Sequence, residues 1–232
     1  KTIFASAALI LFSAIEAGAQ QAEDTPFGFG QPSTGFTIGL GAISVKTPYD
    51  SSFKANFVPY LRYKANDLTI GFVEGVSYQF LSNYNLSASV VIKQRLAPYG
   101  DADTTALRGM KRNSSFDLSL NAALDVVRGT SVLIKAATEF TGEHDGQEFD
   151  LALRQFIPGL GTPVFLTAGI KRQNEKLASF LYGVQASEQL SNRPAYDPGW
   201  VFMPYISANA IYGVTERISL FGNTGLAFYP DK

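Results

Sequence analysis

Phe116-Asp117-Leu118-Ser119-Leu120-Asn121-Ala122-Ala123-Leu124-Asp125 places Phe116, Leu118, Leu120, Ala122 and Leu124 at one parity and Asp117, Ser119, Asn121, Ala123 and Asp125 at the other. Successive side chains of a strand point to opposite faces, so this stretch reads as a β-strand with one apolar and one polar side. Residues 86–95 set Leu86, Ala88, Val90 and Ile92 against Ser87, Ser89, Lys93 and Arg95, with Val91 as the exception. Residues 130–140 oppose Val132, Ile134, Ala136 and Phe140 to Ser131, Lys135 and Glu139. Residues 148–155 oppose Phe149, Leu151 and Leu153 to Glu148, Asp150 and Arg154.

Working outward, strands are also expected at 35–45, 57–64, 68–81, 163–172, 200–212 and 217–228, with a weaker candidate at 179–186. Turn signals part them at Asn66-Asp67, Ser82-Asn83-Tyr84-Asn85, Arg128-Gly129, Pro158-Gly159-Leu160-Gly161 and Val214-Thr215-Glu216. Most of these strands run near ten residues, roughly twice the usual soluble strand and close to the ~9–11 that cross a bilayer at a tilt. A soluble sandwich would also alternate, but it would bury the apolar face. Strand length favours the inverse arrangement, in which Phe116, Leu118 and Leu120 meet lipid and Asp117, Asn121, Lys135, Glu139, Asp150 and Arg154 line an interior. Tyr60, Tyr63, Phe80, Tyr84, Phe140, Phe156, Trp200, Tyr212 and Phe228 fall near strand ends, where interfacial girdles belong.

The N-terminus supports export. Lys1 to Ala19 has a basic start, an apolar stretch through Leu9, Ile10, Leu11 and Phe12, and Ala17-Gly18-Ala19 in the A-x-A cleavage pattern. Residues 1–19 are therefore expected to be a signal peptide, and residues 20–34 a polar lead-in to a barrel spanning 35–232. No later run is apolar for the ~18 residues that a membrane helix requires, so a membrane form has to be a closed barrel.

Composition agrees: of 232 residues, 46% are apolar and 13% aromatic, while only 17% are charged, below the ~25% of ordinary domains. A net charge of -1 gives no footprint for nucleic acid. The absence of cysteine excludes disulfide, thiolate and Cys-metal chemistry. Ten strands and one weak candidate, followed by Tyr229-Pro230-Asp231-Lys232 reading as a new loop, give an odd or incomplete set. Bacterial single-chain barrels have even numbers, so the expected fold is an all-β, antiparallel up-and-down transmembrane barrel of about 12 strands, with the closing strand beyond residue 232. Placing 96–115 outside conflicts with up-down parity if the N-terminus is periplasmic and every expected strand is real. One strand is therefore expected to be misread.

Leu107-Arg108-Gly109-Met110, Leu181-Tyr182-Gly183-Val184 with Ser187, and Pro194-Ala195-Tyr196-Asp197-Pro198-Gly199 occur in order, after the strand start at Pro59-Tyr60. Together they resemble the MipA/OmpV family (MltA-interacting protein) over about residues 35–229. The resemblance implies a barrel in the outer membrane of a Gram-negative cell envelope, in contact with the bilayer and lipopolysaccharide. It also implies a non-enzymatic scaffold linking a murein transglycosylase and a penicillin-binding protein at the cell wall. The family brings no catalytic residues, cofactor or metal.

The residues themselves add few chemical candidates. His144, in Thr141-Gly142-Glu143-His144-Asp145-Gly146, would have to be the general base of any barrel hydrolase, although it reads as part of a solvated hairpin loop. Asp101 and Asp103 could offer hard oxygens to Ca²⁺ but read as polar loop residues. Arg108, Lys111 and Arg112 form a basic cluster suited to lipopolysaccharide phosphates or a cell-wall partner, with plain solvation the simpler reading. Gly28-Phe29-Gly30 and Gly39-Leu40-Gly41 lack the following helix that a phosphate loop needs. The expected site set is therefore empty of catalytic, cofactor and metal residues. The functional alternative to a scaffold is a passive channel for small solutes.

Overall fold

The computed structural model describes residues 8–17, 34–45, 55–98, 107–158, 161–215 and 218–229. Its strands are β1 (Ala8–Ala17), β2 (Thr34–Val45), β3 (Ala55–Ala65), β4 (Leu68–Gly71), β5 (Gly75–Ser82), β6 (Leu86–Arg95), β7 (Ser115–Val127), β8 (Thr130–Glu139), β9 (Gln147–Ile157), β10 (Val164–Gln173), β11 (Val201–Gly213) and β12 (Ile218–Ala227). One helix, α1 (Glu175–Tyr182), precedes a 3-10 turn at Ala186–Glu188. Neighbours in sequence are neighbours in space, all antiparallel, and β12 pairs with β1 to bring the ring round. This is the up-and-down barrel that the alternation predicts.

The faces separate as expected. Leu120 is 50% exposed while its neighbour Ser119 is 6% exposed, and the same contrast runs along β7 from Ser115 to Leu120 and returns at Ala123 and Leu124. Phe36, Ile38 and Leu40 on β2, Leu151 and Leu153 on β9, and Leu166 and Ile170 on β10 continue the apolar outer band. Outside β4 and β5, the strands span 10 to 13 residues, enough to cross a bilayer when tilted. Val91, the exception to alternation on β6, faces the interior.

Two strand expectations need correction, and the first settles the parity conflict. Residues 68–81 form two strands: β4 turns at Phe72–Glu74 and returns as β5, with Leu68 opposite Tyr78 and Gly71 opposite Gly75. Gly75 has φ +79°, and a Cβ there would lie 2.2 Å from the Ile92 carbonyl oxygen, so only glycine fits this tight return. The extra reversal sends β6 toward the opposite end from the one the sequence count gives. The described residues 107–114, 140–146 and 174–200 then gather at one end, and the short turns at 66–67, 83–85 and 128–129 at the other. Gly129, with φ +80°, makes the tight β7–β8 turn. The second correction is at 179–186, which is the final turn of α1 and the start of the segment after it, not a strand.

Residues 8–17, the apolar part of the expected leader, stand as β1 between β12 and β2, with Ile10 opposite both Asn223 and Ile43. Among the girdle residues, Phe80, Tyr84, Phe140, Trp200 and Tyr212 are exposed as expected. Tyr60 is instead 5% exposed and turned inward. By register Phe156 shares the inner face with Phe165, its ring 5.4 Å away.

Candidate functional site

The inner face is a charged ladder built by the polar phase of the strands. Cross-strand pairing brings Asn121, Lys135, Asp150 and Lys171 side by side across β7 to β10. Glu148 collects Lys135 Nζ at 3.2 Å, Arg95 at 3.8 Å and the Gln173 amide, which donates at 3.2 Å. Arg95 also bonds Asp117 through Nε at 2.8 Å, and the Tyr205 hydroxyl donates to Asp150 at 3.0 Å. Opposed charges held in this way offset part of their desolvation, which an unpaired interior charge could not. They surround a cavity of about 630 Å³, lined by Arg95, Asp117 and Glu148 toward the long-loop end and by Asp67, Ser87 and Ile211 toward the short-turn end. Its lining carries the basic side chains Arg62, Lys64, Lys93, Arg95, Lys135 and Lys171 against the acidic Asp67, Glu74, Asp117 and Glu148.

A cap occupies the mouth at the long-loop end. Helix α1 starts where the Asn174 side chain accepts from the Leu177 N–H, satisfying one of the free donors of the first turn. Its apolar side is buried at Leu177, Ala178 and Phe180, with burial of each large side chain stabilising by about 1.5–3 kcal/mol. Ala178 packs with Val201 and Met203, which lie on the inner face of β11, and Tyr182 and Tyr229 border the same cluster.

Arg112, in the segment that leads into β7, fastens the cap to that segment. Its guanidinium donates to the Phe180 carbonyl at 3.0 Å, to the Gly183 carbonyl at 3.3 Å and to both oxygens of Glu188. The two side chains are only 5% and 10% exposed, and the guanidinium beside Glu188 holds that carboxyl below its ordinary range. Arg193 adds a bond to the Arg108 carbonyl at 3.1 Å.

His144 belongs to this brace. Its ring stacks on Phe180 with centroids 4.2 Å apart. Nδ1 accepts from the Gly146 N–H at 2.9 Å, which leaves the proton on Nε2, 3.2 Å from the Ser115 hydroxyl. Burial pushes this imidazole's pKa down, against the opposing pull of Glu139. A serine nucleophile would need Nε2 as a proton acceptor and would need access to substrate. Here Nε2 carries the proton and Ser115 is 0% exposed, so the pair fixes a loop to a strand end. Glu139 completes the loop by accepting the Asp145 and His144 N–H groups at 2.9 and 3.3 Å.

The structure therefore treats the sequence candidates unequally. His144 is half-buried instead of solvated, and Arg112 leaves the expected solvated cluster to become a buried clamp, while Arg108 and Lys111 remain exposed. Asp101 and Asp103 lie outside the described residues. Among the described residues no group of three or more metal-ligating side chains converges. Sequence reading missed Glu188, for which no local signal exists, and α1, for which Asn174-Glu175 ahead of Leu177, Ala178 and Phe180 is a helix-start signal.

The chain matches the family model described as MltA-interacting protein MipA over residues 38–232. Among solved structures it is similar to the outer membrane protein OprD from Pseudomonas aeruginosa, at 12% identity over 89% of this chain and 57% of that one, with TM-score 0.33. A second likeness is to OccK8 (OprE) of the same organism, at 10% identity over 97% of this chain and 70% of that one, with TM-score 0.36. The chain thus spans little more than half the length of OprD. No curated protein matches it.

Proposed function

Because the chain belongs to the MltA-interacting protein MipA family, we propose that it is an outer-membrane barrel acting as a non-enzymatic interaction protein for cell-wall enzymes, a murein transglycosylase of the MltA type first among them. The observation that carries this reading is the family match over residues 38–232. The polarity of the fold supports it: an apolar outer band, a charged interior, and short turns collected at one end. In outer-membrane barrels short turns face the periplasm and long loops the outside. The wall-facing surface is then the short-turn end, where β2 begins at Thr34.

The test is co-purification of the full-length protein in detergent with peptidoglycan enzymes from its own envelope. Retention of a transglycosylase, weakened by Tyr84→Ala in the 83–85 turn and by Arg128→Glu in the 128–129 turn, is expected. Failure to retain any transglycosylase or synthase contradicts the reading.

We further propose that residues 1–19 are an export leader cleaved after Ala19. Leu9, Leu11 and Ile15 at one parity and Ile10, Phe12 and Ala14 at the other give β1 no polar face, unlike β7 or β9. With the leader gone, β2 and β12 become edges that the wall has to seal, since lipid tolerates no open sheet edge. Mass spectrometry of the envelope protein is expected to find Gln20 as first residue; a retained 8–17 peptide makes β1 a wall strand.

A second reading, a passive channel, is favoured by the polar cavity of about 630 Å³. The cap in its mouth opposes free passage, so the intact protein is expected to show little or no conductance in planar bilayers.

A further inference from the structure

Among the described residues of β2 to β12, Arg172 is the only charged residue at an outward position; the rest of that face is apolar, aromatic or uncharged polar. It stands at the long-loop rim, next to the last residue of β10. Its guanidinium carbon lies 4.1 Å from the centroid of the Trp200 ring and 5.7 Å from that of Phe202. Stacking of this kind orients the guanidinium plane while leaving its N–H edge free. No other described residue hydrogen-bonds or ion-pairs with that edge. A stacked arginine with unused donors at a membrane rim calls for an anionic acceptor.

The wall below it supplies the rest of a site. Register places Arg172, Phe149, Ala136, Leu120 and Val90 in one cross-strand row over β10, β9, β8, β7 and β6. Strands in a barrel tilt about 35–45°, so such a row descends obliquely from the rim into the apolar band. At about 4.8 Å per strand it is roughly 19 Å long. Ala136 stands between the larger Leu120 and Phe149 and leaves a dip. These residues and Trp200 line a groove of about 470 Å³ on the outer surface. A cationic fork above a recessed apolar track has the polarity of a phosphorylated lipid.

We propose that this row binds the phosphorylated glycolipid of the outer leaflet, lipopolysaccharide, with a lipid A phosphate on Arg172 and an acyl chain along the dip at Ala136 toward Val90. The proposal rests on the outer-membrane reading with the long loops outward. It commits to the glycolipid because Arg172 lies at the long-loop rim, which is then the outer-leaflet interface.

The experiment uses the full-length protein purified folded in detergent, with lipid A as the probe and phosphatidylglycerol and phosphatidylcholine as comparators, read by native mass spectrometry. Heat-modifiable migration on gels reports the folded barrel independently of lipid. The wild-type protein is expected to retain lipid A, and Arg172→Gln to lower that retention tenfold or more. Ala136→Trp, which fills the dip but keeps the charge, is expected to do the same. Arg172→Lys keeps the charge but loses the fork and is expected to fall between, and it decides the matter if Arg172→Gln does not fold. Folded variants retaining lipid A like the wild type overturn the site. Equal retention of phosphatidylglycerol overturns the glycolipid assignment. A wild-type protein that never shows a folded barrel contradicts the outer-membrane reading instead.

Discussion

The wall from β6 to β10 and the cap over its mouth are held by different physics. In the wall, each residue's surroundings follow from backbone parity: Leu120 faces out because Ser119 faces in, and strand pairing enforces both. In the cap, Arg112 meets Glu188 across 76 residues of chain, and no repeat announces the pairing. The wall spreads its stability over many equivalent positions, whereas the cap concentrates its own in the burial of Leu177, Ala178 and Phe180 and in a few polar contacts. Substitutions should therefore act on the whole barrel in the first region and locally in the second.

The largest local effect is expected at the clamp. Arg112→Ala leaves the half-buried Glu188 carboxylate without its partner and takes the donor from the Phe180 and Gly183 carbonyls, a loss of about 3 kcal/mol in cap stability. Hydrogen exchange should show residues 175–200 losing protection while strands β7 to β9 keep theirs; unchanged protection of α1 would remove the cap from the account. In the wall, Leu120→Arg should cost insertion about 2–4 kcal/mol if the position lies at mid-bilayer, whereas Asn121→Arg next to it should be tolerated in the interior. Equal yields of folded protein from the two variants would erase the difference between the faces.

Acidification should sharpen the contrast from the other side. His144 is held neutral in the folded protein, so its contribution is complete above the ordinary histidine range and is lost as pH falls through the lowered value. Glu188 follows the same sign: its depressed value contributes above the ordinary carboxylate range and fails as pH drops further. Protection of α1 should therefore decline on going from pH 7 toward pH 5, and again near the bottom of the carboxylate range. Protection of α1 that rises on acidification would contradict both contacts. The smallest effect is expected for Lys176→Ala. The Lys176–Asp145 pair is 61% and 69% exposed, so its loss should cost about 0.5 kcal/mol or less, a change that denaturant titration of the cap can bound.

The legibility of the sequence followed the same division. Strands β6 to β9 were readable because one residue's polarity predicts its neighbour's, and a one-residue slip would invert the pattern. The β4–β5 reversal is hidden because Leu68, Ile70 and Phe72 before the turn and Val76, Tyr78 and Phe80 after it share one parity, interrupted only at Glu74, with no Asn-Gly or proline signal, and the close approach that demands Gly75 involves Ile92, far along the chain. The end of α1 reads as a weak strand because 179–186 takes in only its final turn and omits Asn174. The burial of His144 depends on Phe180 arriving from a later segment, and polar residues near Gly142 and Gly146 read locally as a loop in water. Arg172 adjoins Lys171 in the sequence, and only the strand's parity, with Lys171 inward, marks it as an outward charge.

If the strands form a wall with one face to lipid and the other to water, alternate positions along β7 differ in what reaches them. The chain contains no cysteine, so single-cysteine variants from position 116 to 124 can each carry one spin label without background. Accessibility of those labels to oxygen and to a polar nickel chelate, measured in outer-membrane vesicles, tests the claim directly. A period of two is expected, with oxygen dominant at 116, 118, 120 and 124 and the chelate dominant at 117, 119 and 121. Labels at Leu118→Cys and Ser119→Cys with the same polar accessibility would contradict it.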